Sequence, residues 1–159
     1  AELVLQAAGR QFVPADQRLR EAAFAIDALA TLAEDPATYG FYELMRLESR
    51  IQLALHTPAW AVSASRVLGL LGSPTAQEAL VEFASAQLHP LAARQAAAAA
   101  FGVAVSRRGL LLTQSRLLQQ YDLYNASKTL DPGTQEVLGS ILDTFEARTR
   151  KADPPDPEH

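Results

Sequence analysis

Residues 60–83 read Trp60-Ala-Val-Ser-Ala-Ser-Arg-Val-Leu-Gly-Leu-Leu-Gly72-Ser73-Pro74-Thr-Ala-Gln-Glu-Ala-Leu-Val-Glu-Phe83. Trp60, Ala64, Val67, Leu68 and Leu71 recur at steps of three and four, the period of one face of an α-helix and not the alternation of a strand. Gly72 stops that helix and Pro74 cannot continue it. Ser73 or Thr75 then offers an oxygen to cap a second helix, with Ala79, Leu80, Phe83, Ala84 and Leu88 inward. Two amphipathic helices joined by a Gly-Ser-Pro turn are the unit from which the rest of the chain is read.

Prolines at positions 14, 36, 58, 74, 90 and 132 punctuate the sequence, and the stretches between them carry the same period. Asp16 caps a helix to Ala33 whose stripe is Leu19, Ala22, Ala23, Ile26, Leu29, Ala30 and Ala33. Thr38 to His56 places Phe41, Leu44, Leu47, Ile51, Ala54 and Leu55 on one side. Pro58 to Leu71 is the helix quoted above. Pro90 opens a helix with Ala93, Ala96, Ala97, Ala100, Phe101 and Ala104 inward, broken at Arg107-Arg108-Gly109. Thr113 to Ala126 offers Leu117, Leu118, Tyr121 and Tyr124, and Thr134 to Arg148 offers Val137, Leu138, Ile141, Leu142 and Phe145. The expected fold is all-α with no sheet. Residues 1–150 form one domain, of which 1–10 read as the end of a preceding helix, so the chain is expected to be part of a longer protein. Residues 151–159 read as an acidic, Pro-rich disordered tail.

The chain has 159 residues, enough for one core, with 48% hydrophobic and 20% charged residues. Its formal charge of -4 offers no bulk attraction for phosphate backbones or anionic lipid. The longest strongly apolar run, Ala96 to Val105, is about half the roughly 20 residues that span a bilayer. Neither nucleic acid nor a membrane is an expected partner. The absence of Cys removes disulfides, thiol nucleophiles and Cys-ligated zinc, and leaves the compartment open, with the cytoplasm favoured.

Three segments share a pattern: Trp60 to Gly72, Ala93-Arg-Gln-Ala-Ala-Ala-Ala-Ala-Phe-Gly102 and, more loosely, Leu19-Arg-Glu-Ala-Ala-Phe-Ala-Ile-Asp27. They resemble the first helix of a HEAT-like repeat: an aliphatic residue, Arg, paired alanines at a crowded crossing and a terminal Leu-Gly. Ser73 to Phe83 and Asp35-Pro36-Ala-Thr-Tyr-Gly-Phe-Tyr-Glu-Leu44 are similar to the turn and second helix of that repeat. The resemblance covers about residues 16–127. It implies a short α-solenoid of antiparallel helix pairs, small residues letting neighbouring repeats approach closely. The motif Arg is present as Arg20 and Arg94, whereas Ala61 stands in the middle unit, and repeat length is irregular.

No pattern for chemistry competes with that scaffold. His56, His89 and His159 are not spaced with carboxylates as metal ligands, and the first two, each within two residues of a Pro, read as helix C-terminal residues. Glu78 and Glu82 share a face with Gln77 and Ser85, the composition of a solvated surface. No serine sits in a nucleophile elbow and no glycine in a phosphate loop. Arg107, Arg108, Arg116 and Lys128 read as cations at a helix end. Neither catalytic residues, metal ligands nor a cofactor is expected.

Two places exceed the needs of a core. Tyr42, Met45 and Leu53 fall off the main stripe of Thr38 to His56, with Glu43, Arg46, Glu48 and Arg50 between them, which means packing on two sides or an exposed ridge. Tyr124 closes the Gln119-Gln-Tyr-Asp-Leu-Tyr-Asn125 run. The candidate protein-binding residues are therefore Tyr42, Met45, Arg46, Arg50 and Tyr124, aromatic, Met and Arg side chains being enriched at interfaces. The expected function is a non-catalytic interaction or scaffold module, for a protein partner or the remainder of its parent chain. The resemblance also implies an alternative, because HEAT-like folds occur in chromophore lyases and in alkyl-DNA glycosylases.

Overall fold

The Gly72-Ser73-Pro74 turn is built as its residue types dictate. In a computed structural model describing residues 15–34 and 45–152, Gly72 has φ +61°, left-handed, and its N–H donates to the Leu68 carbonyl at 2.9 Å. The Ser73 hydroxyl accepts from the Ala76 N–H at 3.0 Å, with Pro74 at the first helical position, where it has no N–H to lose.

The helices are α1 (Ala15–Glu34), α2 (Glu48–Leu55), α3 (Ala61–Leu71), α4 (Pro74–Ser85), α5 (Leu91–Arg108), α6 (Gln114–Ala126) and α7 (Pro132–Ala152), with a 3-10 turn at Ser127–Thr129. There is no strand among the described residues, so the all-helical reading holds. Thr113 caps α6 and Asp131 caps α7, their oxygens accepting from the N–H groups of Arg116 and Thr134.

The helices pack against one another in a regular order. The largest contact is α3 with α5; α1 packs on α3, and α5 packs on α7. Helix α2 packs on α3 and α4, and α4 packs chiefly on α5. Leu55, Val67, Leu68, Leu71, Leu80, Phe101 and Ile141 are fully buried in one continuous core. Phe101 and Phe145 meet edge to face with centroids 5.7 Å apart.

Three buried polar side chains hold the turns to this core. Gln77 donates to the carbonyls of Gly72 and Gly109 and accepts from the Leu111 N–H, so one amide joins the α3–α4 turn to the α5–α6 connection. Glu48 accepts from the Ser73 and Thr75 hydroxyls and from Gln52. Arg94 donates from Nε to the Ala84 carbonyl and from Nη1 to Thr134 Oγ1, both at 2.8 Å, and joins the end of α4 to the start of α7.

Several sequence expectations are corrected. Of the helix expected over Thr38 to His56, residues 38–44 lie outside the described residues; Met45 and Arg46 are helical, Leu47 is a turn with no side-chain cap, and the helix then runs as Glu48–Leu55. Glu48, grouped with the off-core charges, is buried instead, because its carboxylate turns inward to Ser73 and Thr75. Leu88, placed inward, is 97% exposed because α4 ends at Ser85 and the helical period ends with it. Leu118 and Tyr121 are exposed rather than core, since α6 rests chiefly on α7 and the 3-10 turn. Helix α7 includes Lys151 and Ala152, which the tail was expected to contain. The expectations for residues 1–10, Phe41, Leu44 and the rest of the tail lie outside the described residues.

Candidate functional site

Helix α4 separates two clefts. On one side a cleft of about 500 Å³ is bounded by Ser49, Gln52, Leu53 and His56 of α2 and its end, by Ala79, Glu82 and Phe83 of α4, and by Ala86 and His89. On the other, a cleft of about 220 Å³ lies between Glu78, Val81, Glu82 and Ser85 of α4 and Arg116, Gln119, Gln120 and Leu123 of α6. Glu82 and Ala86 line both, so the two clefts adjoin across the end of α4.

The first cleft holds an aromatic cluster. The His89 ring stacks on Phe83 with centroids 3.9 Å apart and planes 16° from parallel, and His56 lies 5.8 Å from His89 and 6.1 Å, edge-on, from Phe83. Burial first, then the neighbouring His56 and the Arg94 guanidinium, push the His89 imidazole below the ordinary histidine range. In the sequence each histidine read by itself as a helix end. The shared signal is position: each stands within two residues of a proline, His56 as the C-cap of α2 and His89 in the connection that follows the end of α4 at Ser85.

The second cleft is polar. Arg116 Nε donates to Glu78 at 2.7 Å and Nη1 to Gln119 at 3.1 Å, while Ser85 donates to the buried Gln120 at 2.7 Å. Glu78 is therefore engaged with a cation rather than paired with Glu82 for proton transfer.

Of the residues singled out from the sequence, Met45, Arg46 and Arg50 are exposed at and before the start of α2. Tyr124 is half-buried against the core, its ring beside Gly139. Met45, Arg46 and Arg50 thus precede or begin a helix packed on α3 and α4, whereas Tyr124 belongs to one packed on α7. Tyr42 lies outside the described residues.

Among the described residues no group of three or more His, Asp or Glu side chains could hold a metal ion. Among them, too, no helix is long and apolar enough to cross a membrane. Comparison with protein-family models, curated proteins and solved structures finds no match.

Proposed function

We propose that the chain is a non-catalytic protein-interaction module, a short HEAT-like α-solenoid whose even-numbered helices carry the binding face. The order of packing supports the solenoid: α1, α3, α5 and α7 each rest on the next, while α2 packs on α3 and α4, α4 chiefly on α5, and α6 on α7. The observation that carries the binding face is the pair of clefts sharing Glu82 and Ala86, a groove crossing α4 and reaching both α2 and α6. Its walls combine exposed Leu53 and Leu123 with polar groups already satisfied within the groove, which suits an amphipathic helix of a partner. The groove's cation at α6, Arg116, is paired with Glu78, so the surface has little to offer a phosphate backbone.

The test is a quantitative affinity capture from the source cell by wild type, Leu53→Asp, Leu123→Asp and Val62→Asp, after matching their melting temperatures. Val62 is exposed on α3 outside the groove. Proteins retained by wild type and Val62→Asp but lost by both groove variants support the reading. Retention unaffected by either groove variant ends it, as would salt-dependent DNA binding or a bilin absorbance shift as the chain's only activity.

A further inference from the structure

The cleft between α2 and α4 brings together two imidazoles that the sequence keeps 33 positions apart. The ring centres of His56 and His89 are 5.8 Å apart, with planes tilted by 50°. Among the described residues neither ring makes a side-chain hydrogen bond, so their nitrogens are open to a ligand. The wall of the cleft also carries the Glu82 carboxylate, which has no ion-pair partner among the described residues, and it carries no Lys or Arg. Arg94, the cation nearest His89, lies outside that wall, 3% exposed and bonded to the Ala84 carbonyl and Thr134. Nitrogen donors with a carboxylate beside them, and no fixed cation on the wall, suit a metal ion. Spacing points the same way. Zinc about 2 Å from one nitrogen of each of two imidazoles lies about 3 Å from each ring centre, so tetrahedral to trigonal angles set the centres about 5–6 Å apart. The His56–His89 separation falls in that range. The stack on Phe83 holds the His89 ring by its face and leaves the nitrogens at its edge, while His56, exposed as the C-cap of α2, is free to turn toward it.

We propose that His56 and His89 form a two-imidazole site for a divalent transition metal of the zinc type, with Glu82 supplying negative charge beside it. Among the described residues no third His, Asp or Glu completes a group of three, so the remaining positions around the ion belong to water. Imidazole suits zinc and its neighbours in the first transition row, whereas magnesium and calcium take oxygen ligands. A bound ion clamps the end of α2 to the connection after α4, two segments that meet here through ring contacts. Because it binds the folded chain, it raises stability by mass action. The site needs no protein partner, so its test is independent of the groove reading.

The experiment is a calorimetric titration of the chain with zinc, and with magnesium as the control ion, for wild type, His56→Gln, His89→Phe, Glu82→Gln and His159→Gln. His89→Phe keeps a ring against Phe83, and His159→Gln removes the remaining imidazole of the sequence. Melting temperatures without metal are compared first. Expected are one zinc per chain at an affinity on the order of micromolar, a higher melting temperature with zinc, and no response to magnesium. Affinity should fall about tenfold or more in His56→Gln and in His89→Phe, fall less in Glu82→Gln, and hold in His159→Gln. Nitrogen NMR of the wild-type rings locates the ion without any substitution, one nitrogen of His56 and one of His89 shifting as zinc is added. No zinc binding, ring signals of His56 and His89 unmoved by zinc, or equal affinity in wild type and a folded His89→Phe overturns the proposal. Binding lost in His159→Gln alone overturns it as well, by placing the metal at the C-terminus.

Discussion

Gly69 lies directly against the backbone of Ala100: a Cβ at Gly69 would stand 2.7 Å from the Ala100 carbonyl oxygen and 3.1 Å from its Cβ. This is the crossing of α3 and α5, the most extensive helix contact in the molecule. The two backbones approach so closely because one side has no side chain and the other has a single methyl group.

Two opposing effects decide what Gly69→Ala does. Helix propensity favours Ala by about 1 kcal/mol, while overpacking against an atom that moves only with its backbone costs about 1–3 kcal/mol. The clash should win, and urea unfolding should show net destabilisation. Gly102, also helical, is the control, since a Cβ there meets only Thr144 Oγ1 at 3.8 Å. Gly102→Ala should stabilise by about 0.5–1 kcal/mol. Equal effects at the two positions would show that the α3–α5 crossing is looser than described.

Gln77 is fully buried and uses its amide in both directions, donating to Gly109 at 2.8 Å and accepting from Leu111 at 3.0 Å. Gln77→Leu keeps the bulk but strands backbone groups, a loss of about 3 kcal/mol by chemical unfolding. Gln77→Glu separates the two halves of the bond, because an ionised carboxylate still accepts from Leu111 but faces the Gly109 carbonyl without a proton. That raises its pKa in the folded state, so the variant should gain stability as pH falls and the acid donates again. A melting temperature of Gln77→Glu that is independent of pH would contradict the bonding.

The helices were legible because their signals are local. Gly72, Ser73 and Pro74 act through their own backbones, and the stripes of α3, α5 and α7 need only the helical period. What was not legible depends on where distant segments arrive. Nothing marks Gln77 or Glu48 as buried, since their value lies in the carbonyls and hydroxyls that neighbouring turns bring to them. Leu88 read as core because periodicity carries no stop signal at Ala86, which ends α4 in extended backbone without Gly or Pro. The His56–His89 pair is of the same kind: each residue is ordinary by itself, and the cluster forms only because the connection after α4 brings His89 beside the end of α2.

At the opposite end of Arg94 the Thr134 hydroxyl accepts from Nη1, and hydrogen bonds from Thr134, side chain first, hold the Asp131 carboxyl below its ordinary value of 3.8, aided by the Arg94 charge. A depressed carboxylate contributes stability that is complete above its unfolded value and is lost as pH falls through the folded one. Thermal unfolding of wild type should accordingly lose this contribution below about pH 4. Asp131→Ala should flatten that acid limb. Thr134→Val, which keeps the backbone N–H bonded to Asp131, should only lessen it and, by leaving a second nitrogen of buried Arg94 without a partner, cost about 2 kcal/mol at neutral pH. An acid limb unchanged in both variants would exclude the relay.

Burial separates the two parts of the interaction surface expected from the sequence. Met45 is 41% exposed and Arg50 is exposed, so Met45→Ala and Arg50→Ala should leave stability within about 0.5 kcal/mol of wild type. Tyr124 packs on the core beside Gly139, and Tyr124→Ala removes a half-buried ring at a cost on the order of 2 kcal/mol. Loss of binding in Tyr124→Ala thus follows from unfolding as readily as from a lost contact, whereas the first two variants report on contact alone. If the start of α2 extends the groove at Leu53, each should weaken capture of the partner at full stability, by about 1–4 kcal/mol for an anchor. Wild-type affinity in both would confine the binding face to the clefts on either side of α4, and the charge of Arg50 would serve only the solvent.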